Sequence, residues 1–278
     1  MKISSIIEKP LECFPFWIVP KGGERDELGR RKIEQVYIEI FKGYIEELPT
    51  DIDALLVTSD LQGIVLDGEK EYLLGEKLSD FLALLIDVDL PQLNRAKIKV
   101  MLCGDLFAIL NKRGGLGDVK NVWWAFKENF GTVVGVAGNH DSFGTAEEFG
   151  KFKREQGINF IEKEIKKIES IEVGGISGII GQIDKPNRVE EGEYLTILKK
   201  LLLKQPNIIL LHQSPDFPPK SFEGEPKIRE VIENSPPNLI FCGHSHWSEA
   251  LVELKNGSQV MNVDNRVVIL INSRLENI

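Results

Sequence analysis

Five apolar runs in this chain each lead into a residue able to bind a cation. Thr132 to Ala137 runs into Gly138-Asn139-His140-Asp141, and Ala54 to Val57 runs towards Asp60. Val100 to Cys103 leads to Asp105, Ile208 to Leu211 to His212, and Leu239 to Cys242 to Gly243-His244-Ser245-His246. Short continuous hydrophobic runs of this kind read as strands buried on both faces. Such strands deliver their tips to a sheet edge, so polar groups far apart in sequence would meet there. The chain has four histidines, and all four lie in these tips. Asp, Asn and His gathered in this way describe a metal site rather than a random surface.

Helical spacing is found between the strands. Ile33, Val36, Tyr37, Ile40, Phe41, Tyr44, Ile45 and Leu48 predict a long amphipathic helix stopped by Pro49. Leu73, Leu74, Leu78, Phe81, Leu82 and Leu85 predict a second, over 69–87. Asp118 is placed to cap a third, with Val119, Val122, Trp123 and Phe126 as its stripe. Further helices are expected near 145–156, through 194–202 and near 226–233. Residues 1–23 carry two short apolar stretches that read as edge strands, and 158–181 reads as short antiparallel strands. The C-terminal part reads as a meander with a hairpin turn at Asn256-Gly257. Strands alternate with helices early and pair with one another late, without a repeat or dividing linker. A mixed α/β domain follows, spanning 1–278, with a strand and helix extension over 1–50 and helices flanking the sheets.

Composition narrows the functional classes. A net charge of −9 argues against non-specific attraction to nucleic acid or an anionic membrane. Cys13, Cys103 and Cys242 show no CxxC spacing, and the latter two sit inside apolar runs, which suits a reducing compartment. No apolar run approaches the roughly 20 residues needed to span a bilayer, and the N-terminal patch is broken by Pro15. The cytoplasm is the expected location. Nothing in the sequence specifies an oligomeric state.

Carboxylates and imidazoles are good donors to divalent first-row ions, and a shared carboxylate bridges two of them. Glycines precede Asp105, Asn139 and His244, where the backbone must turn sharply or approach a ligand closely. In order, the tips read Asp60-Leu61-Gln62, Gly104-Asp105-Leu106-Phe107-Ala108, Gly138-Asn139-His140-Asp141, His212 and Gly243-His244-Ser245-His246. From about 52 to 262 the chain resembles the calcineurin-like metallophosphoesterase superfamily. That resemblance implies a four-layer αββα sandwich of two facing mixed β-sheets. It also implies two divalent ions, Mn first, with Fe, Zn or Ni as alternatives. One would be held by Asp60, Gln62, Asp105 and His246, the other by Asp105, Asn139, His212 and His244. A hydroxide between them would attack phosphorus in line, with His140 and Asp141 as catalytic residues, Asp141 orienting the His140 ring.

Two positions depart from the family pattern: Gln62 stands where His is usual, and Ala108 where Asp or Asn is frequent. An amide oxygen is neutral like imidazole but harder, which would tilt the first site towards Mn²⁺ over Zn²⁺. Lys112, Arg113 and Arg188 are candidates to grip a substrate phosphate, and Trp247 and Phe143 to line the pocket. The run Gly114-Gly115-Leu116-Gly117 lacks the Gly-Lys-Ser/Thr of a nucleotide P-loop. The expected activity is hydrolysis of a small soluble phosphomonoester or diester. The alternatives are a nuclease and a catalytically weakened metal-binding or scaffold protein.

Overall fold

Alternation within the tip strands dictates where they lie. In Ala54–Ser59 all six residues are buried, with Leu55 and Val57 on one face and Leu56 on the other. A strand covered on both faces needs a layer on each side. The computed structural model, which describes residues 1–20, 27, 32–110, 112 and 114–276, contains those layers.

A ten-stranded sheet runs in the order Ile158–Phe160, Thr132–Gly135, Ile98–Leu102, Ala54–Ser59, Arg266–Asn272, Glu34–Glu46, Glu12–Ile18, Ile64–Asp67, Lys70–Leu73. Lys2–Ile6 pairs with Glu34–Glu46 off this path. The six-stranded sheet runs Lys163–Ile168, Ile171–Ile176, Ile208–Gln213, Leu239–Gly243, Gln259–Asn262, Leu251–Glu253. Ala54–Ser59, Ile98–Leu102 and Thr132–Gly135 are parallel neighbours, as are Ile208–Gln213 and Leu239–Gly243. Parallel strands finish at the same edge, and so the tips converge.

Three cores separate four layers. Leu55, Val57, Met101 and Val134 of the first sheet meet Val173, Leu210, Phe241 and Met261 of the second. Leu56, Val100 and Val133, on the first sheet's other face, pack with Leu78 and Leu82 of helix Leu74–Asp89 and Val122 and Phe126 of helix Lys120–Phe130. On the outer face of the second sheet, Ile209, Leu211 and Ile240 pack with Leu198 and Leu202 of Glu191–Leu203 and Ile228 and Ile232 of Pro226–Glu233. Each fully buried aliphatic side chain contributes about 1.5–3 kcal/mol. The layers are those of the αββα sandwich.

Local signals agree at several points. Asp118 accepts from Lys120 N at 3.0 Å, although it stands one position before the N-cap, Val119, which has no side-chain cap bond. Leu251–Glu253 and Gln259–Asn262 form the hairpin around Asn256-Gly257.

The N-terminal extension corrects the expected helix over 33–48, which is the strand Glu34–Glu46. Val36, Ile38, Ile40 and Tyr44 face the helix-side core, whereas Phe41 and Ile45 face the core between the sheets. Two period-two patterns on opposite faces overlap around residues 40–45 and imitate a helical stripe. Tyr37, assigned to that stripe, is 59% exposed. Glu12–Ile18 is not an edge strand either, since it lies between Glu34–Glu46 and Ile64–Asp67. Its Pro15 is tolerated because the pairing with Ile64–Asp67 is limited to Trp17 opposite Ile64.

Candidate metal centre

Backbone strain turns the tips out of the sheets. Asp60, Asp105 and His244 have φ of 55°, 53° and 70°, in the left-handed region that costs a non-glycine residue about 1–3 kcal/mol. Hydrogen bonds hold each in place. Asp60 Oδ2 accepts from Ser59 Oγ at 2.7 Å and from His244 N at 2.8 Å. Asp105 Oδ1 accepts from His140 N at 2.8 Å. Two of the expected glycines serve close approach: a Cβ on Gly138 would lie 2.1 Å from Asp105 Oδ1, and one on Gly243 would lie 2.3 Å from Asp60 Oδ2.

The turn at 138–141 is clamped from both sides. Asp141 accepts from Asp105 N, Leu106 N and Gly138 N at 2.7–2.9 Å. Asn187 Nδ2 donates to Gly138 O and Asp141 O at 2.8 and 2.7 Å. Burial, then the nearby Asp105 charge, raises the Asp141 pKa to about 6. The hydrogen bonds of the Asp141 carboxylate therefore go to backbone, and the His140 ring is oriented elsewhere. Its Nδ1 meets Gly115 O at 2.5 Å, leaving Nε2 3.9 Å from Asp105 Oδ2. The His140 ring, expected to be oriented by Asp141, is thus bonded to a carbonyl of the glycine-rich loop, and Asp141 holds the turn that carries it.

One compact donor group forms where the two sheets meet. Ligand atoms of Asp105, His212 and His244 all lie within 4.8 Å of one another. His212 Nδ1 is bonded to Cys103 O at 2.8 Å, which turns Nε2 towards Asp105 Oδ2, 3.4 Å away and outside hydrogen-bonding geometry. Asn139 Oδ1 is likewise buried without a partner. Leaving such polar atoms unpaired costs about 1–3 kcal/mol each. Burial favours the neutral ring of His212, but the Asp105 charge prevails and raises its pKa; reciprocally, Asp105 is held low despite its own burial. Burial and the His212 charge depress His244 to about 4, keeping its lone pair available. Asp60 is pushed well above the carboxylate range by burial and by the charges of Asp264 and Asp105. Crowded carboxylates, a neutral imidazole and two orphaned donors fit a divalent cation.

The other side of the centre is more open. Gln62 Nε2 donates to Asp105 Oδ2 at 3.0 Å, so in this amide orientation Gln62 supports the carboxylate with its nitrogen. The His246 side chain is 66% exposed, and its Nδ1 meets Asp264 Oδ2 at 3.0 Å. Asp60, Gln62 and Asp264 line one cavity beside the donor group. Sequence reasoning misses Asp264 and Asn187. Asp264 follows no apolar run of the first five, though it bridges Ser59 next to Asp60. Arg188 is close enough for its charge to depress the His244 pKa. Arg113 lies outside the described residues. Trp247 and Phe143 do not line this cavity: Trp247 is fully buried, stacked on Phe222, and Phe143 sits among Phe149, Phe152 and Phe160.

The family model for calcineurin-like phosphoesterases matches residues 54–248. No curated protein matches the chain. Among solved structures it is similar to TT1561 of Thermus thermophilus, with 16% identity and a TM-score of 0.51 over 77% of this chain and 90% of that one. A hypothetical protein from the same organism shows 12% identity, a TM-score of 0.44 and 75% coverage of both chains. The 5'-nucleotidase from Candida albicans shows 14% identity and a TM-score of 0.41, over 79% of this chain and 46% of that one. At 16% identity the likeness to TT1561 is one of fold. The family match spans most of the chain and all five tips, so the protein belongs to the calcineurin-like phosphoesterase family, which implies metal-dependent hydrolysis of phosphate esters.

Proposed function

We propose that this protein hydrolyses a phosphate ester of a small molecule, using two divalent cations held by the strand tips. The observation that carries this reading is the gathering of Asp105, His212 and His244 ligand atoms within 4.8 Å of one another, with His212 Nε2 facing Asp105 at 3.4 Å; Asn139 Oδ1, in the turn whose His140 N is bonded to Asp105, is buried without a hydrogen-bond partner. Asp105, Asn139, His212 and His244 would hold one cation. Asp60, Gln62 and His246 would hold the second, with Asp105 shared. Ions of this kind, when bound, polarise phosphoryl oxygens and lower the pKa of water.

The chain's own side chains supply the remaining chemistry. With Nδ1–H donating to Gly115 O, His140 in its imidazolium form would give the Nε2 proton to the leaving oxygen. Asp141 acts through the backbone of the turn. Arg188, whose charge reaches His244, would bind a non-bridging phosphate oxygen. Mn²⁺ is the favoured ion, with Fe, Zn or Ni competing, because carboxylate and amide oxygens make up part of the donor set. A net charge of −9 favours small esters over polynucleotides. The chain is read as one domain over 1–278, its N-terminal strands completing the first sheet. Three free thiols suit the reducing cytoplasm, and no helix among the described residues is long and apolar enough to cross a membrane.

The test is loading with Mn²⁺, then measuring bound metal and turnover of p-nitrophenyl phosphate and its bis-ester. His140→Ala is expected to keep its metal and lose about 10²–10⁴-fold in rate. Metal-loaded wild-type protein that cleaves neither ester would overturn the reading, as would full activity in His140→Ala.

A further inference from the structure

A cavity of about 300 Å³ opens beside Asp60, Gln62 and Asp264. Besides these residues and the polar Lys112 and Asn265, its lining includes an apolar group formed by Trp17, Ile18, Val36, Phe107 and Ile109. Ile18, Val36 and Phe107 also pack against the helix-side core, whereas the other two wall residues do not. Ile109 is 39% exposed, and Trp17 is half-buried yet belongs to none of the three cores. The chain has four tryptophans, and the other three are all engaged. Trp123 packs in an aromatic cluster, Trp124 Nε1 donates to Glu155, and Trp247 Nε1 donates to Glu223 O. The Trp17 indole makes no ring contact or side-chain hydrogen bond among the described residues.

Phe107 ties this wall to the reacting centre. A Cβ on Gly117 would lie 2.0 Å from the Phe107 ring, so that ring is seated on the glycine-rich loop whose Gly115 carbonyl orients His140. The two positions that depart from the motif pattern, Gln62 and Ala108, both line this same cavity. A short side chain at 108 leaves ring-sized room where a larger polar group would intrude. The volume lies at the small end of the roughly 300–1,000 Å³ of ligand pockets, enough for a one- or two-ring group and too little for an oligomer.

We propose that this cavity is a subsite for the alcohol portion of an aromatic phosphate ester, with Trp17 and Phe107 offering the surface on which its ring packs. The proposal rests on the phosphoesterase reading and adds the substrate class. Aromatic pairing beyond area burial amounts to about tenfold in affinity.

The experiment compares phenylphosphonate with methylphosphonate, neither of which can be hydrolysed, by calorimetric titration of the Mn²⁺-loaded protein. Phenylphosphonate is expected to bind about tenfold more tightly. Trp17→Ala should bring the ratio close to one, Trp17→Phe should keep most of it, and Trp124→Ala should leave it unchanged. Should Trp17→Ala fail to fold, Ala108→Phe fills the cavity instead and should weaken phenylphosphonate more than methylphosphonate. Equal binding of the two by the wild type overturns the subsite while leaving the phosphoesterase reading intact. So does a preference that survives Trp17→Ala or Ala108→Phe. Binding of neither phosphonate overturns both.

Discussion

The two sides of the metal centre are built differently. On one side Asp105, Asn139 and His212 are buried, and two of their donor atoms lack any hydrogen-bond partner. On the other, Asp60 is bonded to Ser59 and His244, Gln62 to Asp105, and the exposed His246 to Asp264. The enclosed side is preorganised: its donors have already lost water, and little hydrogen bonding must be given up when a cation enters. A cation on the open side must displace or reorganise existing bonds in wetter surroundings. On the proposed two-cation reading, this contrast predicts unequal affinity, with the tighter ion on the enclosed side.

The largest expected effect comes from Asp105, the residue that both sides would share on this reading. Asp105→Asn should lower affinity on both sides by more than the roughly 10–100-fold that a supporting residue costs, measured as bound metal per chain. Retention of one ion at full affinity would show that the sides do not share this carboxylate. A smaller effect isolates the open side. Asp264→Asn removes the charged partner of His246 and should weaken only the looser ion, by about 10–100-fold. Equal weakening of both ions would erase the distinction. The smallest effect is one of selectivity: Gln62→His should shift the open side severalfold towards Zn²⁺ over Mn²⁺ in competitive titration. Unchanged selectivity would mean that Gln62 serves only as a donor to Asp105.

Legibility in the sequence follows the same contrast. Asp105, Asn139, His212 and His244 each follow an apolar run, and parallel buried strands end together, so the meeting of their tips is legible without coordinates, while their assignment as one ligand set rests on the family resemblance. Asp264 cannot, because it joins the site through a bridge to Ser59 from a short turn after Gln259–Asn262. Asn187 reaches the Gly138 turn from a polar loop whose course no periodicity specifies. Glu34–Glu46 reads as a helix for a related reason: a strand buried on alternating faces scatters its apolar residues at spacings that resemble a helical stripe. Trp17 gains meaning only once that strand places Glu12–Ile18 beside Ile64–Asp67 and the 106–110 loop.

Titration of the wild-type protein with Mn²⁺, followed by calorimetry and direct metal analysis, bears most closely on the account. Two binding events of unequal affinity are expected, the weaker one selectively lost in Asp264→Asn. A single event of one ion per chain, or two equal events unaffected by Asp264→Asn, would contradict it.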